Sequence, residues 1–477
     1  MSSTLSPSLT SLIQKYNLDI SIVEVSNIYE SRLDPEFYSL EYIKIENKDS
    51  KSLNDLGIKV FSGPFGSFLK SESYVQIGNP FVRISDVKDI FLSKTGMMFL
   101  DDSEFARMKK YHLEVDDIVL SKVGTVGRLS IITPEIGTIA VSENNIGIKF
   151  SDHPQVLKLY IFIFLISKYG QSEFQKFSSG NVQPKLNVSD VGNFKIPLPS
   201  PTFQSSIAEL VGEAHKQREL SKSLYAEAEN ILLSELGLVN WKPSEENITE
   251  KMSSEVEFFG RCDAEFFQPK YDELLGKLKK FEIKKLSEMC KIQRGSLISP
   301  EFYNENEGIP YLRGADFSSG NLGEDKLMYI DKSFIRTNEQ RVSKDDIIFA
   351  TIGSVGTSAL VNDKFDNCYL SNNTGKLSIR NKKEVLPIVL QLILQSIIGK
   401  LQFERFETRT AQPKISNEQV GMIQVPILPD TIQSLISEKI IASHMARESS
   451  KKLLEKAKRA VEIFIEEDED SANKYLG

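Results

Sequence analysis

The chain has 477 residues, 40% of them hydrophobic and 26% charged, with a formal net charge of −8. That length leaves room for two to four domains with sizeable cores, in a composition ordinary for a soluble globular protein. A negative balance at first sight disfavours a nucleic-acid partner, but residues 466–470 (EEDED) supply −5 of it and leave −3 for the rest, which neither excludes DNA nor suggests it.

The N-terminal stretch MSSTLSPSLTSLIQKYNLDI lacks a basic region followed by an apolar core, so no signal peptide is expected. RLDPEFYSLEY begins at Arg32. Strand-like runs bounded by Gly, Asp, Asn and Pro follow: GNPFVRISDV from Gly78, DDIVLSKVGTVG from Asp116 and VSENN from Val141. Lys158 to Gly170 reads as a helix. Its apolar run LYIFIFLIS falls well short of the about 20 residues of a membrane span, so a buried helix is expected. QPKLNVSDVG from Gln183 and the proline stop IPLPSP lead into a long helix. There Phe203, Ile207, Leu210, Ala214, Gln217, Ser221, Leu224, Ala228 and Ile231 step by four and three, a heptad seam with polar interruptions at Gln217 and Ser221.

Beyond a linker from Ser234 to Phe259, which holds the one tryptophan, Trp241, the chain is written a second time. RCDAEFFQPKY starts at Arg261, DDIIFATIGSVG at Asp345, LSNNT at Leu370 and QPKISNEQVG at Gln412, all at one constant offset from their counterparts. Gln433 stands at that same offset from Gln204. GIPYLRGADF at Gly308 slips by one position relative to GNPFVRISDV, and the flanking segments SGPFGSFLKSESY and QRGSLISPEFYNENE differ in composition. Five anchors with one offset mark a tandem duplication with some loops free to vary. Val385 to Leu401 is the second copy's short helix. VPILPD opens its long one, with Ile432, Ile436, Leu453, Ala457, Ala460 and Phe464 along the seam. Both long helices exceed the average globular helix of about 11 to 12 residues. A helix pair bridging two domains accounts for that length.

The chemistry of an enzyme is missing. GTVG and GSVG are neither GxGxxG nor the start of a P-loop, and the lysine before the first, Lys122, has Thr351 as its repeat partner. Asn79-Pro80-Phe81 lacks the second proline of an amino-methyltransferase signature, and its partner reads Ile309-Pro310-Tyr311. No acid-x-lysine follows Pro429-Asp430 as a nuclease would need, and no Ser/His/Asp set is present. Three cysteines without close spacing (Cys262, Cys290, Cys368) argue against disulfides and a zinc knuckle and suit a reducing cytoplasm. The four scattered histidines make no metal site, so neither metal nor cofactor is expected.

GNVQPKL…IPLPSPTFQ and TAQPKI…VPILPDTIQ, with RLDPEFY, GNPFVRISDV and DDIVLSKVGTVG in the same order, resemble the specificity (S) subunits of type I restriction–modification enzymes. The likeness runs from Arg32 to about Phe464. It implies an α+β chain of two tandem globular α/β target recognition domains, separated by two long antiparallel coiled-coil helices and related by a pseudo-twofold axis. The expected layout is domain 1 over 1–200, a central helix over 201–236, a linker over 237–259, domain 2 over 260–429, a C-terminal helix over 430–466 and an acidic tail over 467–477. By the same resemblance the chain is a non-catalytic, cytoplasmic DNA-recognition subunit. Each repeat would read one half of a bipartite double-stranded target, and the helices would set the spacer and dock two methyltransferase (M) subunits. Motor/nuclease (R) subunits are further partners; a membrane is not. About thirty residues of helix span roughly 45 Å, commensurate with one turn of DNA. An S-like interaction scaffold of another phage-defence methyltransferase assembly is the alternative that the mild negative charge keeps open.

Base edges are read by Arg at guanine and by Asn or Gln at adenine, phosphates by Lys, Arg, Ser and Thr. The candidates in copy one are Ser67, Lys70, Tyr74, Arg83, Lys122, Arg128, Asn144, Asn145 and Lys185. In copy two they are Arg294, Tyr303, Arg313, Asn372, Asn373, Lys376, Arg405, Arg409 and Lys414. Arg83 and Arg313 stand beside Asp86 and Asp316, where an internal ion pair is the competing reading, and the Asn-Asn pairs can serve as turn formers. Lys70, Arg294 and Arg405 differ between copies and are the better choices for sequence reading. In DDIVLSKVGTVG the kept aspartates, apolar run and glycines point to a buried strand entering a tight turn, with the exchanged Ser121-Lys122 at its edge.

Overall fold

A computed structural model of the chain describes residues 48–64, 69, 73–150, 153–178, 184–246, 248–304, 307–318, 320–323, 327–334, 340–408 and 412–477. It divides into two units. Unit 1 joins Met1–Glu219 with Arg447–Gly477, and unit 2 is Leu220–Ala446.

Unit 1 holds strands β1 (Ser50–Ser52), β2 (Lys59–Ser62), β3 (Tyr74–Val75), β4 (Asn79–Val82), β5 (Met98–Leu100), β6 (His112–Leu113), β7 (Ile118–Ser121), β8 (Leu129–Ile131), β9 (Ile139–Val141) and β10 (Asn145–Lys149). Helices α1 (Gln155–Ile166) and α2 (Lys168–Phe177) follow, then β11 (Lys195–Pro197). The strands form an antiparallel sheet β2-β10-β7-β8, a sheet β3-β5-β4-β9-β6 and the pair β1-β11. Strand β7 shows why the pattern IVLS is apolar throughout. Ile118 and Leu120 point into a core shared with α1, while Val119 points the other way, onto Val82, Leu113 and Val141. Helix α1 is apolar on every side because Tyr160 to Leu165 are fully buried.

The first long helix, α3 (Pro201–Glu235), lends residues to both units. Unit 2 then rebuilds the frame from β12 (Ile283–Lys285), β13 (Cys290–Arg294), β14 (Tyr303–Asn304), β15 (Ile309–Leu312), β16 (Phe317–Ser318), β17 (Asn321–Leu322) and β18 (Met328–Ile330). It continues with β19 (Ile347–Ala350), β20 (Ser358–Leu360), β21 (Tyr369–Leu370), β22 (Thr374–Ile379), α4 (Pro387–Gln395), α5 (Ile397–Phe406) and β23 (Gln424–Pro426). The orders β13-β22-β19-β20 and β12-β23 repeat those of unit 1 strand for strand, and β14-β18-β15-β21 repeats β3-β5-β4-β9 with no strand matching β6 among the described residues, while a hairpin β16-β17 is added. The parallel contact recurs too, Val82 opposite Val141 and Leu312 opposite Leu370. Alternation along β19 matches β7: Ile347 and Phe349 enter one core, Ile348 and Ala350 another.

The repeated aspartates have a physical role. Asp116 and Asp345 adopt φ of +68° and +71°, and each next carboxylate, Asp117 or Asp346, accepts a backbone N–H three residues back, from Glu114 (2.8 Å) or Ser343 (2.9 Å). Two expected helices, over 158–170 and 385–401, are each broken in two. Ser167 and Ser396, equivalent positions of the two copies, cap α2 and α5, and their side chains accept from the N–H of Gly170 and Ile398.

The second long helix, α6 (Asp430–Glu466), runs antiparallel to α3 within each unit. In unit 1 the Phe203 and Phe464 rings are 5.8 Å apart and Ser450 Oγ donates to Ala214 O (2.6 Å). In unit 2 Ser443 Oγ donates to Ser221 O (2.7 Å) and Lys439 Nζ to Glu227 Oε2 (2.6 Å). The buried stripe of α3 is Phe203, Ile207, Val211, Ala214, Ser221, Ala228 and Leu232. Val211 and Leu232 thus replace the expected Leu210 and Ile231, since a 3.6-residue period drifts off a strict heptad. Residues 467–477 are not a bare tail: Glu469–Leu476 forms α7, capped by Asp468, with Ala472 buried and Glu469 accepting from the Ser200 N–H (2.9 Å). In the linker, Leu238 is buried in the unit 2 core. No described helix is long and apolar enough to cross a membrane.

Candidate nucleic-acid interface

In unit 1, β7 leaves its sheet through Lys122 into the turn Gly124–Gly127, beside the turn that leads into β10. The Lys122 N–H donates to Asn144 O, the Leu186 N–H to Lys122 O and the Gly124 N–H to Pro184 O, each at 3.0 Å. Gly124 and Gly127 sit at φ of +77° and +85°, where L side chains are strained. With the Gly124 amide bonded to a carbonyl of the protein itself, the turn is scaffold and not a phosphate cradle. Ser62, the last residue of edge strand β2, donates from Oγ to Glu143 O (2.8 Å), and Lys122 Nζ donates to Ser62 Oγ (3.1 Å). Burial and the neighbouring Lys185 push the Lys122 pKa down, against the pull of Glu143. Arg128, Asn144 and Lys185 are exposed nearby.

Unit 2 repeats this corner bond for bond. The Thr351 N–H donates to Asn373 O (2.9 Å), the Ile415 N–H to Thr351 O and the Gly353 N–H to Pro413 O, both at 3.0 Å. Arg294 ends β13 opposite Gly375, as Ser62 ends β2 opposite Ile146, and those two partners are equivalent positions of the duplication. Arg294 Nε donates to Asn372 O (2.7 Å), the counterpart of the carbonyl that Ser62 reaches. The next residue is glycine in both units because the turn's backbone presses on it. A Cβ on Gly63 would lie 2.2 Å from Val141 O, and one on Gly295 2.1 Å from Ser371 O. On this common frame one small hydroxyl residue and one long basic residue have changed places: Ser62 with Lys122 in unit 1, Arg294 with Thr351 in unit 2. Thr351 is 1% exposed and its hydroxyl lacks a hydrogen-bond partner among the described residues. Arg294 is exposed and forms no ion pair with a described residue.

The chain matches the family model of the type I restriction modification DNA specificity domain twice, over residues 45–230 and 278–459. It belongs to that family. Among relatives of this specificity family, it is 22% identical over 395 residues to the putative type I restriction enzyme MjaX specificity subunit of Methanocaldococcus jannaschii, covering 81% of this chain and 86% of the relative. Among solved structures, the type I restriction–modification S subunit from M. genitalium is 14% identical, with 90% of this chain and 96% of the other covered and a TM-score of 0.38. The HsdS subunit from Thermoanaerobacter tengcongensis is 13% identical, with 89% and 96% covered and a TM-score of 0.29.

Within this specificity chain the sequence candidates fall into groups. Exposed at or beside the two corners are Arg128, Asn144, Lys185, Arg294, Asn373 and Lys414, with Lys122 and Asn372 half-buried among them. Ser67, Lys70 and Arg409 lie outside the described residues, as does Gln183. Three candidates are corrected because they are buried and engaged inside the protein. Asn145 is 0% exposed and its Nδ2 donates to Val82 O (3.0 Å) and Ser142 Oγ (3.2 Å). Lys376, 7% exposed, donates from Nζ to Arg341 O (2.6 Å) and lies 3.6 Å from Asp346. Arg405, 6% exposed, is ringed by Phe266, Phe259 and Tyr271 at 4.8, 5.5 and 5.6 Å and pairs with Asp272 at 3.4 Å. Burial holds its pKa below the usual arginine value, against the pull of Asp272.

For Arg83 and Arg313 the ion-pair reading is the one observed. Each guanidinium grips Asp86 or Asp316 with two nitrogens, and the same carboxylate accepts the arginine's own N–H at 2.8 Å. Tyr74 and Tyr303 are half-buried, packing on Phe81 (5.9 Å) and Tyr311 (5.6 Å). Ser62 was not among the sequence candidates. Its match to Arg294 is out of register with the anchors, and the signal for it was the Ser-Gly and Arg-Gly pair ahead of the variable loops. Among the described residues, Glu135, His215 and Glu219 have the types to hold a metal, with His215 Nε2 3.3 Å from Glu135 Oε2 and 4.0 Å from Glu219 Oε1.

Proposed function

We propose that the chain is the DNA-reading subunit of a type I restriction–modification complex, with each unit reading one half of a bipartite double-stranded target. Methylation, and cleavage where a motor/nuclease subunit joins, belong to the partner subunits. The observation that carries this reading is the pair of matching corners: one backbone frame made twice, with different exposed side chains on each copy. Two modules that bind the same kind of duplex but different bases require that arrangement. The long helices, about 52 Å and 55 Å at 1.5 Å per residue, fix the spacer between half-sites and carry the docking surface for two methyltransferase subunits.

Lys185 and Lys414 hold the same place in the two units, each in a bridge with the residue two after the strand end, and act on phosphates. The test is a titration of the chain, assembled with its methyltransferase subunits, against a duplex bearing its methylated motif at several salt concentrations. Affinity should fall linearly with salt on logarithmic axes, and Lys185→Ala and Lys414→Ala should each reduce the slope by about 1. Salt-independent binding, or equal affinity for a duplex without the motif, would refute the proposal.

A further inference from the structure

We propose that the corner of each unit is where its base preference is set, and that Arg294 reads a guanine in the half-site of unit 2. The inference rests on the DNA-reading role given above and adds positions and a base to it. In both units three chain segments meet through the same backbone bonds: 122 to 144 and 351 to 373, then 186 to 122 and 415 to 351. In both, the end of the edge strand bonds the first carbonyl of the turn, from Ser62 Oγ to Glu143 O and from Arg294 Nε to Asn372 O. The frame therefore delivers side chains at positions 62, 122 and 143 to the same places as 294, 351 and 372.

What varies is chemistry at nearly constant volume. Each corner holds one long basic chain and one small hydroxyl, in exchanged order, so either can be accommodated without moving the frame. In unit 1 the cation is an ammonium, drawn in by its bond to Ser62. In unit 2 it is a guanidinium on an exposed strand end. Its Nε is pinned to Asn372 O, and its two terminal nitrogens have no partner among the described residues. A guanidinium held at Nε presents a planar pair of donors in a fixed direction, the geometry that fits O6 and N7 of guanine in the major groove. Thr351, which stands where unit 1 has Lys122, is buried and brings no charge to this corner.

The experiment uses the full chain assembled with its methyltransferase subunits. Mapping methylated sites in cells with the unaltered chain gives the bipartite motif; absence of such a motif would overturn the DNA-reading role itself. Competition between duplexes that differ at one position then gives an affinity ratio, which does not depend on how much of a variant is folded. Arg294→Ser, and Arg294→Lys as the milder change that keeps the charge, should lower discrimination for guanine at one position of one half-site by roughly 10- to 100-fold, leaving the other half unaltered. Lys122→Ala should change ratios only in the other half. The volume-matched exchange of Ser62→Arg with Lys122→Thr should bring a guanine preference into that other half. A bipartite motif whose ratios are the same in both Arg294 variants as in the unaltered chain overturns the inference. So does a uniform loss of affinity with unchanged ratios, the mark of a phosphate contact.

Discussion

Arg405 shows how a residue can have the right chemistry for DNA and the wrong address. In the sequence it is a cation that differs between the copies, which favours a reading role. Its partners Phe259, Phe266, Tyr271 and Asp272 lie far upstream, ahead of the whole second sheet system, and only folding brings them around the guanidinium. Arg405→Ala should lower the unfolding free energy of the chain by about 2–4 kcal/mol, through lost ring contacts and a severed, largely buried ion pair. Asp272, partly exposed, can return to water, which keeps the loss moderate. Denaturant unfolding measures the loss, and DNA affinity per folded molecule should stay unchanged; a stable variant that binds DNA weakly would restore Arg405 to the interface. Separation in sequence likewise hid the carbonyl of Val82 from Asn145, 63 residues away, and that of Arg341 from Lys376, 35 residues away. By contrast Arg83 and Arg313 were readable, because each pairs with an acid three residues on.

At the scale of elements, sequence patterns revealed what local geometry controls. The apolar runs IVLS and IIFA with the paired aspartates and glycines announced a buried strand entering a tight turn, and the structure has that strand and turn in both units. The breaks at Ser167 and Ser396 were missed because a serine inside an apolar run reads as a weak interruption, whereas its cap geometry is decisive. In the long helices, heptad counting found the face and lost the register, since the drift accumulates only over several turns. The polar residues of that face serve packing. Ser443 is 3% exposed and gives its hydroxyl to Ser221 O, so small size and a local bond let the helices approach at this point. Ser443→Leu should overpack the contact and destabilise unit 2 by about 1–3 kcal/mol, read by thermal unfolding of the full chain, while Ser443→Ala should cost no more than about 1 kcal/mol. Equal effects from the two variants would show that the contact is loosely packed.

At the scale of the molecule, the duplication was legible because five anchors kept one spacing; how the chain closes each copy was not. Unit 2 is one continuous stretch, but unit 1 is closed by both ends of the chain. Its core takes Leu454, Val461, Ile463, Phe464 and Ile465 from the last stretch. The helix residues of unit 2's core, among them Ala228, Leu232, Ile436 and Ile440, all lie inside its own boundaries. Burying five such side chains at roughly 1.5–3 kcal/mol each is worth on the order of 10 kcal/mol, comparable to the about 5–15 kcal/mol that holds a whole domain folded. A chain ending at Ala446 should therefore lose the cooperative melting of unit 1 and keep that of unit 2. Calorimetry would show one transition surviving, and hydrogen exchange would locate protection in β13, β19 and β22 but not in β2, β7 and β10. Protection retained in those unit 1 strands would mean that its sheets are stable without the helix half supplied by the C-terminal stretch, and that the two ends of the chain need not meet for the first copy to fold.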